Sequence, residues 1–302
     1  MIPGGELDRR IDEAVGRLEK SGITAANRRV LSNGIRITFS DNSRICGINF
    51  YYSKKKGFSV VPGGGDNRFS QEIKGILISD DTEMPGGTWT GSDEAGKGDY
   101  IGPLTVAAVY VNRQRAETYR NIGITDSKVL SNDTVSKYAR TIKDTSDGFF
   151  SIVSVSPLDY NTRFNKLSKI GKNSLDLLAE CHAEAIRELL KMNPMPQCVI
   201  VDKFCDEKRI SHLLPEGDYR LDLRIRGESD PAVAAASILA RDAYLNGLDK
   251  ISGKFGIKAI SGSGHQTDTI ARKFVNEFGA DILDEVVKVH FKNTLKVMSL
   301  FS

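Results

Sequence analysis

Gly91-Ser92-Asp93-Glu94-Ala95-Gly96-Lys97-Gly98-Asp99-Tyr100-Ile101-Gly102-Pro103-Leu104, continued by the apolar run Thr105 to Val111, decides how this chain is read. Two adjacent carboxylates enter a turn rich in glycine, and a β-branched, buried-type strand (Leu104 to Val111) leaves it. Acid groups at a strand end, beside backbone left bare by glycine, suit divalent cations and a phosphodiester. Asp93 and Glu94 would point to opposite faces of a regular strand. A strand from Trp89 to Ser92 is predicted to end before them, so that the glycines let both carboxylates reach one metal pair. Gly96, Gly98 and Gly102 also give GxGxxxG. A nucleotide-binding loop needs a helix directly after its glycines, and here Pro103 and a strand follow. Close backbone approach to a nucleic-acid strand, with Lys97 near a phosphate, is the better role; an ordinary tight turn is the plain alternative.

Downstream, Phe149 to Val155 reads as a strand, Ser174 to Leu190 as an amphipathic helix, and Gln197 to Val201 as an apolar strand ending at Asp202. Tyr219 to Ile225 is a further strand, and Pro231 to Leu248 an alanine-rich helix able to pack closely on a sheet. Strands joined by helices predict an α/β layer fold with a mixed sheet. Asp202 closes its strand, and Glu228 follows Gly227 just before the long helix. In open α/β sheets functional groups gather at strand carboxyl ends. Four carboxylates together repel unless cations neutralise them; two Mg²⁺ ions roughly 4 Å apart could then serve an in-line displacement. Each acid alone is equally readable as a solvated loop carboxylate.

Asp126-Ser127-Lys128 places a hydroxyl beside an ammonium, which suits phosphate contact or a helix N-cap. Among the histidines, His182 lies on the apolar face of its helix and reads as core, His290 reads as structural, and His265, in a glycine loop, could meet substrate. No histidine has a nearby serine or cysteine in a nucleophile setting.

Before this region the period is different. Glu6 to Lys20 spaces Leu7, Ile11, Val15 and Leu18 as an amphipathic helix. Arg36–Phe39, Ile48–Tyr52 and Phe58–Val61 alternate as short strands, and Phe69–Ile78 suits a helix. An acidic, Pro-Gly-Gly stretch then suggests a linker, dividing the chain into residues 1–85 and 88–302. Between Arg28 and Arg68 eight basic residues face two acids, a local charge of +6 against +3 for all 302 residues. With Lys54, Lys55 and Lys56 at a turn and Phe50, Tyr51, Tyr52 and Phe58 interleaved, this suits a nucleic-acid surface, core being the main role of the aromatics. Four scattered cysteines indicate reduced thiols. With no signal-peptide core and no apolar run of membrane-spanning length, a cytoplasmic protein without a membrane partner is expected.

Asp93-Glu94-Ala95-Gly96-Lys97-Gly98 followed by Gly102-Pro103-Leu104 resembles the type 2 ribonucleases H, with Asp126-Ser127-Lys128, Asp202 and Ala234–Arg241 in the family's order. Three features resemble the HIII branch: the Tyr52–Gly57 unit, glutamate at 228, and the tail Lys288–Thr294. The resemblance implies an RNase H-like catalytic domain and a small N-terminal α+β domain similar to the TATA-binding protein fold. It implies Mg²⁺- or Mn²⁺-dependent cleavage of the RNA strand of an RNA–DNA hybrid, with 5′-phosphate and 3′-hydroxyl products. By position, Asp93, Glu94, Asp202 and Glu228 become the acids of a two-ion site. Gly96, Lys97 and Gly98 become substrate contacts near the 2′-hydroxyl, with Ser127, Lys128 and Lys54–Lys56 as further contacts. No obligate protein partner is evident. Ribonuclease HII-like cutting at single ribonucleotides in DNA and a non-catalytic nucleic-acid binder are the alternatives.

Overall fold

The computed structural model describes residues 4–41, 43–53, 57–79, 87–124, 127, 130–192 and 196–301. The chain divides into two compact units, Met1–Glu83 and Met84–Ser302.

In the first unit, helix α1 (Gly4–Lys20) precedes strands β1 (Thr24–Leu31), β2 (Gly34–Ser40), β3 (Ile45–Ser53) and β4 (Gly57–Gly65), and α2 (Asn67–Ser79) closes it. The strands form one antiparallel sheet in sequence order. Period-2 alternation sends Ile35, Ile37 and Phe39 of β2, with Cys46, Ile48 and Phe50 of β3, into a core shared with Leu7, Ile11 and Leu18 of α1 and Phe69 and Ile73 of α2. Phe50 stacks on Phe58 at 5.8 Å, so these aromatics are core. Arg36 lies on the opposite face, where a Cβ at Gly47 would come within 2.6 Å of its Nη2. The first strand went unread because it is an edge strand, exposed along nearly its whole length, and shows no apolar alternation. The local basic excess is also smaller than its count. Arg28 pairs with Asp8 and Asp12 of α1, and Arg44 with Asp41 and Glu72. This is the small α+β domain expected; its likeness to the TATA-binding protein rests on the sequence resemblance alone.

In the second unit, β5 (Thr88–Ala95) and β6 (Leu104–Asn112) lead to α3 (Arg113–Asn121) and α4 (Asn132–Thr145). Then come β7 (Phe150–Val155), α5 (Pro157–Ser168), α6 (Ser174–Lys191), β8 (Cys198–Asp202), the short α7 (Lys208–Ser211) and β9 (Arg220–Arg224). The long α8 (Pro231–Phe255) follows, with α9 (His265–Phe278), α10 (Leu283–Val286) and α11 (Lys292–Met298) at the end. The sheet order is β7-β6-β5-β8-β9. β5 is antiparallel to β6 and parallel to β8, the mixed sheet predicted from sequence.

Strand alternation divides the core between the two faces. Trp89, Ala107, Val109 and Ile200 pack against the small residues Ala232–Ala240 of α8. Val106, Ala108, Val199 and Val201 pack against Leu178, Cys181 and Ile186 of α6. Among the described residues, no helix is long and apolar enough to cross a membrane.

Two contacts fix α8 on the central strand. The indole of Trp89, the only tryptophan, donates from Nε1 to both Asp230 oxygens at 3.0 and 3.1 Å. Asp230 Oδ1 also accepts from the N–H of Ala232 at 2.9 Å and of Val233 at 3.3 Å, capping the helix. Gly91 permits the approach, because a Cβ there would lie 2.2 Å from Val233 N. Gly91→Ala should therefore cost about 1–3 kcal/mol. Gly253→Ala, in the same helix with open space at its Cβ, should stabilise by about 0.5–1 kcal/mol. Urea unfolding followed by Trp89 emission checks both signs.

Candidate functional site

Strand β5 does not end at Ser92. Its pairing with β6 continues through Asp93↔Ala107, Glu94↔Val106 and Ala95↔Thr105. Asp93 and Glu94 therefore keep strand alternation and emerge on opposite faces, a correction to the strand end expected at Ser92. The chain leaves the strand only at Gly96, whose φ is +85°. On the α8 face, Asp93 is 5% exposed; its Oδ1 accepts from Glu94 N at 2.8 Å, and the nearby hydroxyl of Ser237 on α8 favours its charged form. On the α6 face, Glu94 Oε2 lies 3.1 Å from His182 Nε2, and Lys97 Nζ donates to Oε1 at 3.3 Å.

Asp202 is the last residue of β8. The final β5–β8 pair is Ser92↔Val201, so the next step of the same parallel register sets Asp202 beside Asp93, on the α8 face. Its Oδ1 accepts from Gly227 N at 2.9 Å. A Cβ at Gly227 would lie 3.0 Å from Asp202 Cα, so this approach needs glycine. Glu228 follows in a single 3-10 turn, Gly227–Ser229, directly before α8 and half-buried. The turn begins after Arg226, which is left-handed at φ 59°.

Burial pushes the Asp93 carboxyl well above the usual carboxylate range, and the charges of Glu94 and Asp202 add to the push. Burial works upward on Glu94 too, but His182 and Lys97 outweigh it and hold that group below its ordinary value. Among the described residues, no three His, Cys, Asp or Glu side chains already converge as a finished cage for an ion. Glu94 and Asp202 are near enough to act on the charge of Asp93, and each of the three is held by its own protein partner. An all-oxygen donor set in which burial and neighbouring carboxylates disfavour the charge of one member fits a hard divalent cation.

The glycines of the loop divide by cause. At Gly96 a Cβ would lie 2.3 Å from Pro103 O and 2.8 Å from the Tyr244 ring, and at Gly102 (φ +93°) 2.6 Å from Leu248. Packing within the chain explains both. A Cβ at Gly98 would meet nothing within 4 Å. Lys97 is 43% exposed and sits 5.5 Å over the Phe204 ring. From behind, the buried Lys288 donates to Asp99 O at 2.9 Å and Gly102 O at 2.7 Å; burial lowers its pKa to about 7.

Ser127 turns inward instead of toward a substrate. It is 4% exposed, its hydroxyl lies 2.8 Å from that of Ser237, and Arg241 donates to its carbonyl. It thus backs the serine that lies by Asp93. Lys128 and Lys54–Lys56 lie outside the described residues. His265 is the exposed first residue of α9. His290 stacks on Phe164 at 4.4 Å, as a structural group.

The ribonuclease HII family pattern matches residues 90–294. A ribonuclease HIII of Protochlamydia amoebophila is 38% identical over 204 residues, covering 67% of this chain and 65% of that protein. A ribonuclease HIII of Bacillus cereus is 36% identical over 218 residues, covering 70% and 68%. The chain belongs to the ribonuclease HII family. Among solved structures, Bst-RNase HIII in complex with Mn²⁺ is similar with a TM-score of 0.67 at 23% identity, over 97% of this chain and 96% of that one. RNase H3 of Aquifex aeolicus gives 0.56 at 20% identity, over 94% and 97%. These two likenesses support the fold.

Around these acids, sequence reading left out Ser237 and Phe204 and read His182 as a core group. Ser237 stands in the alanine run of α8, where a lone hydroxyl among small apolar residues was the available signal. The buried state of Asp93 has a thermodynamic consequence. Its folded pKa is raised above the unfolded value, so the native state binds more protons and parent stability falls as pH rises between the two. Asp93→Asn should therefore melt higher than the parent without divalent cations, by a margin that widens as pH rises from about 5 toward neutrality. Calorimetric melting at two pH values with chelator checks this; an equal or lower melting temperature at neutral pH would show that the charge at Asp93 carries no penalty.

Proposed function

We propose that this chain is an endoribonuclease that cuts the RNA strand of RNA–DNA hybrids by hydrolysis, leaving 5′-phosphate and 3′-hydroxyl ends. Asp93, Glu94, Asp202 and Glu228 would hold Mg²⁺ or Mn²⁺. The carrying observation is that Asp93, near the end of β5, and Asp202, at the end of β8, share one face of neighbouring parallel strands, with the Asp93 carboxyl destabilised as an anion by its surroundings. Support also comes from relatives named ribonuclease HIII and from a similar solved protein that carries Mn²⁺. When bound, divalent cations supply activation of water and stabilisation of the departing 3′ oxygen.

The chain's own groups do the rest. Asp93 and Asp202 present oxygens from the α8 face, and Glu94 reaches the same strand end from the other. Gly98 offers bare backbone that no protein atom crowds, which suits approach to a ribose carrying a 2′-hydroxyl. Lys97, tied to Glu94 but substantially exposed, can turn to a phosphate. In the first unit, the sheet face opposite the helices carries Arg29 and Arg36 beside glycines of β3 and β4. That face suits sequence-independent hold on a duplex through its phosphates.

Cleavage of a uniform hybrid beside a DNA duplex with one ribonucleotide, in Mg²⁺ or Mn²⁺, tests the reading. Efficient cutting of the hybrid with either ion is expected, and Asp93→Asn should abolish cutting while hybrid binding survives. Preferred cutting at the single ribonucleotide would replace the proposal with a ribonuclease HII-like one; binding with no metal-dependent cleavage would leave a nucleic-acid binder. A second comparison separates the glycines. Gly98→Ala should keep the parent melting temperature yet weaken hybrid cleavage, whereas Gly96→Ala should lower the melting temperature. Parent-like cleavage by Gly98→Ala would remove the loop from substrate recognition.

A further inference from the structure

We infer that His182 is a positioning residue for Glu94, holding one carboxylate oxygen so that the side chain is set in place for a divalent cation. The inference rests on the metal-site reading above. His182 is fully buried on α6, among Leu178, Ala179, Cys181, Ala185 and Ile186. An imidazole in such surroundings costs free energy unless its ring nitrogens are bonded. Both are. Nδ1 lies 2.8 Å from Ser92 Oγ, and Nε2 lies 3.1 Å from Glu94 Oε2.

The ring has little freedom left. Its face stacks on Phe204 at 4.7 Å with an 11° interplanar angle. Ser92 is itself fixed, donating to Ala107 O at 2.9 Å in the neighbouring strand. The chain of contacts therefore runs from the sheet, through Ser92 and the imidazole, to a glutamate that would otherwise have several rotamers. With Oε2 restrained by His182, Glu94 loses less conformational entropy when Oε1 exchanges the exposed Lys97 for an ion. Groups that orient metal ligands in this way commonly matter almost as much as the ligands.

The order Ser92–His182–Glu94 has the outline of a hydrolytic triad, but Ser92 cannot serve as its nucleophile. It is fully buried within the central strand, flanked by β6 and β8, so no scissile group can approach its Oγ. The contacts of His182 point outward from a fixed serine to a site carboxylate, which is the geometry of support.

Two amide substitutions separate positioning from packing. In His182→Gln the amide can reach where Nε2 stands and keep the bond to Glu94. In His182→Asn it reaches only the place of Nδ1 and keeps Ser92. Mn²⁺ binding to the full chain without nucleic acid, by titration calorimetry, gives affinity separately from stoichiometry and so from the folded fraction. The asparagine variant should bind Mn²⁺ about tenfold more weakly or worse, while the glutamine variant stays close to the parent. The Mg²⁺ concentration for half-maximal hybrid cleavage should shift in the same order. Equal affinities in the two variants, whether both parental or both reduced, would overturn the positioning role while leaving the metal site standing. A parent that binds no Mn²⁺ would overturn both.

Discussion

Carboxylate repulsion at the end of the central strand is the constraint around which the larger unit is organised. Asp93 is buried beside Glu94 and within the field of Asp202, and burial alone already disfavours its charge. A fold selected only for stability would not place acids there. The surrounding structure holds them nonetheless. Glu94 N donates to Asp93 with the Ser237 hydroxyl close by, Gly227 donates to Asp202, and His182 and Lys97 take the two oxygens of Glu94. These partners come from different elements, so the site is stabilised only when the sheet and both helical layers are assembled. Conflict between local stability and charge is what functional sites commonly show.

The sheet gives the acids their places. Parallel pairing of β5 with β8 brings two strand ends close, and antiparallel pairing with β6 carries β5 three residues past Ser92, to Ala95. The outcome is a strand end approached from both faces: Asp93 belongs to the α8 layer and Glu94 to the α6 layer. Gly91 and Asp230 set α8 against β5, and α8 carries Ser237. The distance from helix packing to site chemistry is thus a few residues along one helix.

Much of this was legible in the sequence, for reasons that differ by residue. The acids stood beside glycines and at the ends of apolar runs, and those signals are local. In the mixed sheet β6 and β8 were readable as continuous apolar runs, and in the smaller sheet β2 and β3 by their alternation. β1 was not, since an exposed edge strand shows no apolar face. The end of β5 was placed too early, at Ser92, because pairing with β6, a tertiary contact, holds the strand to Ala95 until Gly96 releases it. Ser127 looked like a phosphate contact as part of a tripeptide; only the packing of α8 reveals that its hydroxyl meets Ser237. His182 was correctly placed in the core from helical periodicity, but its partner Glu94 lies 88 residues earlier, a separation that no local pattern encodes.

Anomalous scattering from crystals grown with Mn²⁺ tests the central claim most directly. The account predicts density at the shared end of β5 and β8, bounded by oxygens of Asp93 and Asp202 and approached by Glu94 and Glu228. Ordered Mn²⁺ bound elsewhere, with these carboxylates keeping only their protein partners, would contradict it.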